Sequence, residues 1–267
     1  MRRRRENKRK IKLVIGLSIC LLLIMTVGYA AFQTNLNITA KGNIKNIKDE
    51  VDSKVPTDEL LFWGQGDSEE NTLTMLKDKS GNNHDGIMYG FDNTNLSGYT
   101  DDGLVFDGID DYVDIGLANY DFQNSISYVV YVTINSTDST YNKIICNQEN
   151  AGSALEIYQN NIYFNLWNGQ EYVYANTTFK TNQFYTIIGV YDGFVIKLYF
   201  DGELVASKNN QVVTVSPMNI LLGANPQATG QIVDHVNMNL KEAMVYDRAL
   251  TEDEVKTITE GFERKYK

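Results

Sequence analysis

From Leu60 onward the chain is cut into short apolar runs, "LLFW", "LVF", "YVDI", "SISYVVYVTI", "KIIC", "ALEIY", "IYFNLW", "FYTIIGVY", "VIKLYF", "NILLG" and "EAMVY", with Asp-Gly or Asn-Gly pairs among them. The pairs Asp85-Gly86, Asp102-Gly103, Asp107-Gly108, Asn168-Gly169, Asp192-Gly193 and Asp201-Gly202 supply the positive φ that tight hairpins require. About a dozen short strands with turn signals every 8 to 12 residues or so predict an antiparallel sandwich of two sheets. Prolines occur only at 56, 217 and 226, which leaves the hydrogen-bonded ladders largely uninterrupted.

One helix closes the chain. Thr251 and Glu254 make a capping box, and Leu250 before it can staple onto Val255. Val255, Ile258 and Phe262 then fall on one stripe that packs on the sandwich, while Glu252, Asp253, Lys256 and Glu260 face water. The acids of the first turn and the basic "RKYK" at the end both suit the helix dipole.

The first 32 residues belong to a different regime. Residues 1–12 hold eight of the 24 Lys and Arg against one acid, leaving 16 basic against 33 acidic groups in the remainder. So acidic a body repels phosphate backbones, which excludes nucleic acid as a partner. The basic block runs into "LVIGLSICLLLIMTVGYAAF", Leu13 to Phe32, an uncharged stretch of the length a membrane-spanning helix needs. Small residues at Gly28, Ala30 and Ala31 equally fit a secretory signal cleaved near Ala30. Either reading keeps the arginines in the cytoplasm and exports the chain beyond Phe32, so the expected location is extracytoplasmic, anchored to the membrane through residues 13–32 or secreted. Residues 33–59 then read as a polar spacer with one short strand at Leu36 to Ala40, and residues 60–267 as the folded body. That body has one thiol, Cys146, which after two isoleucines reads as a buried small residue.

Four segments, "LKDKSGNNHDG" (Leu76 to Gly86), "GLVFDGIDDYVDIG" (Gly103 to Gly116), "FYTIIGVYDG…IKLYFDGELV" (Phe184 to Val205) and "LKEAMVYDRALTEDEV" (Leu240 to Val255), stand in the order found in laminin G-like, concanavalin A-like domains. The body resembles the single-domain bacterial version of that family. The resemblance implies an all-β, two-sheet antiparallel jelly roll carrying the C-terminal helix, preceded by the N-terminal signal or transmembrane helix. It does not fix a ligand, because the architecture hosts lectins, adhesion modules and glycosidases.

Three groups of residues are candidates for chemistry. In "GLVFDGIDDYVDIG" the aspartates read as turn builders: Val105, Ile109, Tyr112 and Ile115 are candidate core positions, while Asp107, Asp110 and Asp111 can bond nearby backbone amides. Asp111 and Asp114, at an odd spacing, point to opposite faces of a strand. The loop "DKSGNNHDG" is the better Ca2+ candidate. Asp78 offers a carboxylate and the turn near Asn83 can gather carbonyl oxygens, which are the ligands calcium takes. Domains resembling this one often add an acidic group from the last strand; here the corresponding pair reads Lys241-Glu242, leaving Glu242 as the distal ligand.

The segment "ALEIYQNNIYFNLWNGQEYVY" has the most informative surface pattern. With Asn160-Asn161 as a two-residue turn, Leu155, Ile157, Ile162, Phe164 and Leu166 share one face, and Glu156, Tyr158, Tyr163, Asn165 and Trp167 the other. The first set suits a core. The second combines flat rings with hydrogen-bonding groups, as stacking on a sugar and fixing its hydroxyls require, although tyrosine and tryptophan also favour strands in general.

Catalytic signatures are missing from the sequence. Glycosidases of this architecture carry their acid pair in an E-x-D-x-x-E run, and none occurs; neither do zinc, phosphate-loop or nucleophile-elbow motifs, and His84 and His235 lack catalytic context. The expectation is a non-catalytic module binding an extracellular glycan or surface polymer. A glycosidase with a divergent acid pair, or a protein-adhesive module, are the alternatives.

Overall fold

The computed structural model describes residues 44–94, 96–122, 125–137, 141–212 and 215–267. The leader, its cleavage point near Ala30 and the short strand at Leu36 to Ala40 lie outside these. Among the described residues no helix is long and apolar enough to cross a membrane. The chain divides into two compact units, Met1–Ser53 and Lys54–Lys267. In the first, residues 44–52 are helical. The spacer expected over 33–59 is therefore not uniformly irregular: Ile44, Ile47 and Val51 repeat at helical spacing.

The second unit is an antiparallel β-sandwich. Its first sheet runs, in spatial order, β14 (Glu203–Asn209), β13 (Val195–Phe200), β12 (Phe184–Tyr191), β7 (Ile126–Ile134), β18 (Asn237–Tyr246), β5 (Gly103–Asp107) and β4 (Gly98–Thr100). A register shift after Leu240 lets β18 pair with β5 through its first half and with β1 (Leu60–Gln65) through its second. The second sheet runs β11 (Tyr172–Thr178), β10 (Asn161–Trp167), β9 (Ser153–Tyr158), β8 (Tyr141–Cys146), β15 (Leu221–Leu222), β6 (Tyr112–Asp114), β3 (Gly86–Tyr89) and β2 (Met75–Leu76). A small ribbon pairs β16 (Asn225–Pro226) with β17 (Ile232–Val233).

The continuous apolar run of β7 is explained by its position. All nine residues are buried. Ile126, Tyr128, Val130, Val132 and Ile134 face the core between the sheets, while Val129 and Tyr131 face a second cluster. That cluster includes Val255, Ile258 and Phe262 of the C-terminal helix, Glu252–Tyr266, whose capping box between Thr251 and Glu254 is formed as expected. Burying such side chains contributes about 1.5–3 kcal/mol each. Val55, within the expected spacer, is buried in the same cluster.

The core between the sheets also holds Leu155, Ile157, Ile162, Phe164 and Leu166. Phe164 needs a glycine opposite it: a Cβ on Gly189 of β12 would come within 2.5 Å of its ring. Of the turn pairs, Asp201-Gly202 closes the β13–β14 hairpin with φ of 48° and 83°.

Two expectations are corrected. Tyr158 pairs with Asn161, so the β9–β10 turn is Gln159-Asn160 instead of Asn160-Asn161, with Gln159 in the left-handed region. The register moves by two residues, an even number, and every side chain keeps its face. Ile109 is not a core residue: it is 74% exposed at the tip of the turn after β5, where its amide donates to Asp107 Oδ1 at 2.7 Å. The apolar period there is broken by the turn chemistry of its neighbours.

Candidate functional site

The outer face of the second sheet, opposite the core, carries a cavity of about 680 Å³ at its β8–β11 end. Cross-strand register builds it. Lys143 of β8 opposes Glu156 of β9, Tyr141 opposes Tyr158, Glu156 opposes Tyr163 of β10, and Asn165 opposes Tyr174 of β11. Because side chains alternate along a strand, all of these point the same way, away from the buried face.

The floor is polar and dry. Lys143, Glu156 and Asn165 are each at most 5% exposed. Glu156 Oε2 pairs with Lys143 Nζ, and Glu156 Oε1 accepts from Asn165 Nδ2. Lys143 Nζ also donates to Gln148 Oε1 at 2.9 Å. Charge fixes both amide orientations, since a carboxylate needs the amide NH2 and an ammonium needs the amide oxygen. Gln148 Nε2 and Asn165 Oδ1 are consequently left buried without a protein partner. Burial pushes the Glu156 carboxyl above its ordinary value, against the pull of Lys143.

Above the floor the walls are tyrosines. Tyr141 and Tyr158 stack at 4.5 Å between ring centres, and Tyr163 meets Tyr174 edge-on at 5.1 Å. Tyr172 completes the lining, with Gln148, Glu149, Asn150 and Asn225 supplying polar groups. Asn225 comes from the β16–β17 ribbon, which is tied to β8: Lys143 N donates to Asp234 O at 2.9 Å, Asn142 Nδ2 to His235 O at 2.9 Å, and the Cys146 thiol to Asn225 Oδ1 at 3.2 Å. Burial pushes that thiol up to about 12, so Cys146 is an inert packing residue.

Of the five side chains expected to form a ligand-binding face, Glu156, Tyr158, Tyr163 and Asn165 line this cavity. Glu156 and Asn165 form its floor and the two tyrosines its wall. Trp167 is not part of the lining; its ring meets Tyr172 edge-on at 5.0 Å. Tyr141, Lys143, Gln148, Tyr172, Tyr174 and Asn225 were not singled out by sequence. The alternation in "EYVYA" carried a signal for Tyr172 and Tyr174, whereas Asn225 is brought in by tertiary folding.

The expected calcium residues lie elsewhere. Asp78 Oδ1 accepts from the amides of Trp63 (3.0 Å) and Ser80 (2.8 Å), and Oδ2 from Ser80 Oγ (2.8 Å) and the His84 amide (3.0 Å). Asn83 is an exposed turn residue with φ 60°. Glu242 is fully buried and accepts from Trp63 Nε1 (2.7 Å), Lys265 Nζ (2.7 Å) and Tyr266 OH (2.6 Å). Burial raises its carboxyl while Lys265 opposes the shift. Trp63 thus touches both carboxylates, one through its backbone and one through its ring.

Among the described residues, the acidic groups close enough to share a cation are Asp107, Asp110 and Asp111, within 4.8 Å of one another. They are tied into the turn: Asp111, fully buried, accepts from Ser97 Oγ (2.9 Å) and the Asp107 amide (2.8 Å). Asp114 looks the other way, toward Asn219 at 2.9 Å.

Residues 107–256 match the profile of the concanavalin A-like lectin/glucanases superfamily. No curated protein matches the chain. Among solved structures, the receptor-binding domain of botulinum neurotoxin C/D mosaic serotype superposes with a TM-score of 0.61 at 18% identity, over 77% of this chain and 52% of that one. The binding domain of botulinum neurotoxin serotype D gives 0.57 at 20%, over 77% and 51%. The binding domain of botulinum neurotoxin DC in complex with SialylT gives 0.54 at 16%, also over 77% and 51%. The chain therefore spans about half the length of these structures, and the likeness is one of fold.

Proposed function

The chain belongs to the concanavalin A-like lectin/glucanase superfamily, and from that premise we propose that it is a non-catalytic, extracytoplasmic binding module whose ligand is a glycan held in the tyrosine-walled cavity of β8–β11. The observation that carries the reading is the cavity itself. Partly exposed tyrosine rings line an opening with amide and carboxylate groups, and rings of this kind stack on the apolar faces of sugars while the polar groups meet the hydroxyls. The floor argues against hydrolysis, because its carboxylate, Glu156, is committed to Lys143 and Asn165 instead of facing a second acid across a scissile bond. Two of the structural neighbours add support of opposite kinds: one is a binding domain in complex with SialylT, another the same type of domain in complex with rat synaptotagmin II. The arginine-led apolar leader supports export.

A glycan array probed with the full chain and with the Tyr163→Ala/Tyr174→Ala double variant tests the reading. Retained glycans that the variant loses, with no sugar released on incubation, are the expected outcome. Glycan binding that survives the double substitution removes the cavity from the proposal, release of sugar restores the glycosidase alternative, and a blank array with a protein captured in its place favours the adhesive one.

A further inference from the structure

Three neighbouring strands each contribute one polar side chain to the cavity floor: Lys143 from β8, Glu156 from β9 and Asn165 from β10. Glu156 stands in the middle, with one carboxylate oxygen on Lys143 Nζ and the other on Asn165 Nδ2. The register produces this arrangement. Lys143 lies directly opposite Glu156, while Asn165, opposite Ala154, is one diagonal step from it. With strands about 4.8 Å apart, the long lysine stem and the short asparagine arm both reach the carboxylate between them.

We propose that Lys143 and Asn165 are joined by an intramolecular amide bond, formed in the folded protein with Glu156 as the proton carrier. Glu156 Oε2 takes a proton from Lys143 Nζ, and the neutral amine attacks Asn165 Cγ, forming the Nζ–Cγ bond. Glu156 then delivers a proton to Nδ2 through Oε1, the Cγ–Nδ2 bond breaks and ammonia leaves, taking the second Nζ proton by way of Glu156 to depart as ammonium. A lysine ammonium and a carboxamide become a secondary amide and an ammonium ion, so the balance needs no oxidant, nucleotide or metal.

The surroundings favour each part of this step. Water is excluded from all three groups, which are at least nine-tenths buried. Burial disfavours charge on both Lys143 and Glu156, and although the neighbouring acidic groups keep the lysine above its ordinary value, the raised Glu156 carboxyl is a ready acceptor; passing the proton to it leaves two neutral groups and a nucleophilic amine. The folded sheet supplies the encounter that is prohibitively rare for a free amine and a free amide. Gln148 Oε1, at 2.9 Å from Nζ, holds a second Lys143 proton and orients the nitrogen. The Asn165 carbonyl oxygen is buried and accepts no hydrogen bond from a protein group, leaving the group under attack uncommitted to the protein. The result is a covalent strap across β8, β9 and β10 beneath the tyrosines, and it holds whether or not the cavity takes a glycan.

Tryptic mapping of the full chain by mass spectrometry decides the matter, because trypsin does not cut after an acylated lysine. Lys143 is the one tryptic position between 80 and 179. The expected product is a single peptide of residues 80–180, uncut at Lys143 and lighter than its sequence by one ammonia, with fragmentation placing the bridge between Lys143 and Asn165. Asn165→Ala restores cleavage after Lys143 and abolishes the mass loss. Asn165→Asp gives the same bridge with loss of water in place of ammonia, and Glu156→Gln prevents it. Cleavage after Lys143 in the wild-type protein overturns the proposal whatever the variants do, as does loss of ammonia from Asn165 with Lys143 still cleavable.

Discussion

Lys265 Nζ lies 2.7 Å from Glu242 Oε1 with both side chains wholly excluded from solvent, so the last turn of the C-terminal helix is tied to β18 by a charge pair that solvent ions barely screen. Breaking one partner of such a pair leaves an uncompensated buried charge, which costs about 3–5 kcal/mol. Lys265→Met is expected to destabilise the protein by that amount in urea unfolding, and the double variant Lys265→Met/Glu242→Gln by clearly less. Equal losses in the two variants would show that packing of the helix end, and not the charge, is what matters.

The same pair bears on calcium. Glu242 already faces a cation, and both oxygens of Asp78 are occupied by protein donors. A metal would have to displace these partners, so a chelator is expected to leave the melting temperature unchanged by differential scanning fluorimetry. A fall in melting temperature with chelator that added Ca2+ reverses, and that Asp78→Asn abolishes while Asp110→Asn does not, would restore Asp78, Asn83 and Glu242 as ligands.

Asp111 sets a pH dependence. Burial raises its carboxyl to about 6 from the ordinary 3.8, against the hydrogen bonds from Asp107 and Ser97. The folded state thus holds the proton more tightly than the unfolded chain, and this contribution is fully present below about 3.8 and lost as pH rises through about 6. Urea midpoints of Asp111→Asn, compared with wild type across this window, are expected to decline less with rising pH. Parallel curves for the two proteins would remove Asp111 as the source.

At Gly189 the backbone of one sheet meets an aromatic ring of the other. A methyl there would press on the Phe164 ring at 2.5 Å. Overpacking of this kind costs about 1–3 kcal/mol, so Gly189→Ala is expected to lower the unfolding free energy by that much even though alanine suits a strand better than glycine. Combining it with Phe164→Leu, which shortens the opposing side chain, is expected to recover part of the loss; no recovery would place the strain elsewhere.

Local chemistry is what the sequence expressed well. The faces of "ALEIYQNNIYFNLW" survive a two-residue error in the turn because alternation has period two, and the Thr251 capping box needs only four neighbouring residues to specify it. Long-range register was much less legible. Nothing near Lys143 announces that Glu156 lies across from it, and Asn225 enters the cavity only because its ribbon is tied to β8. Lys265 shows the limit of a one-dimensional argument: the helix dipole explains a basic residue there, but not that its ammonium finds Glu242, 23 positions earlier, inside the protein. Ile109 fails in the opposite direction, an apolar residue in an apolar pattern that a turn directs outward.

The β16–β17 ribbon contributes Asn225 to the cavity and no strand to either main sheet. One lining group of the cavity thus comes from chain that neither sheet needs, while the tyrosines and the floor come from the sheet strands themselves. A substitution at Asn225 can therefore alter the lining without touching a ladder of either sheet.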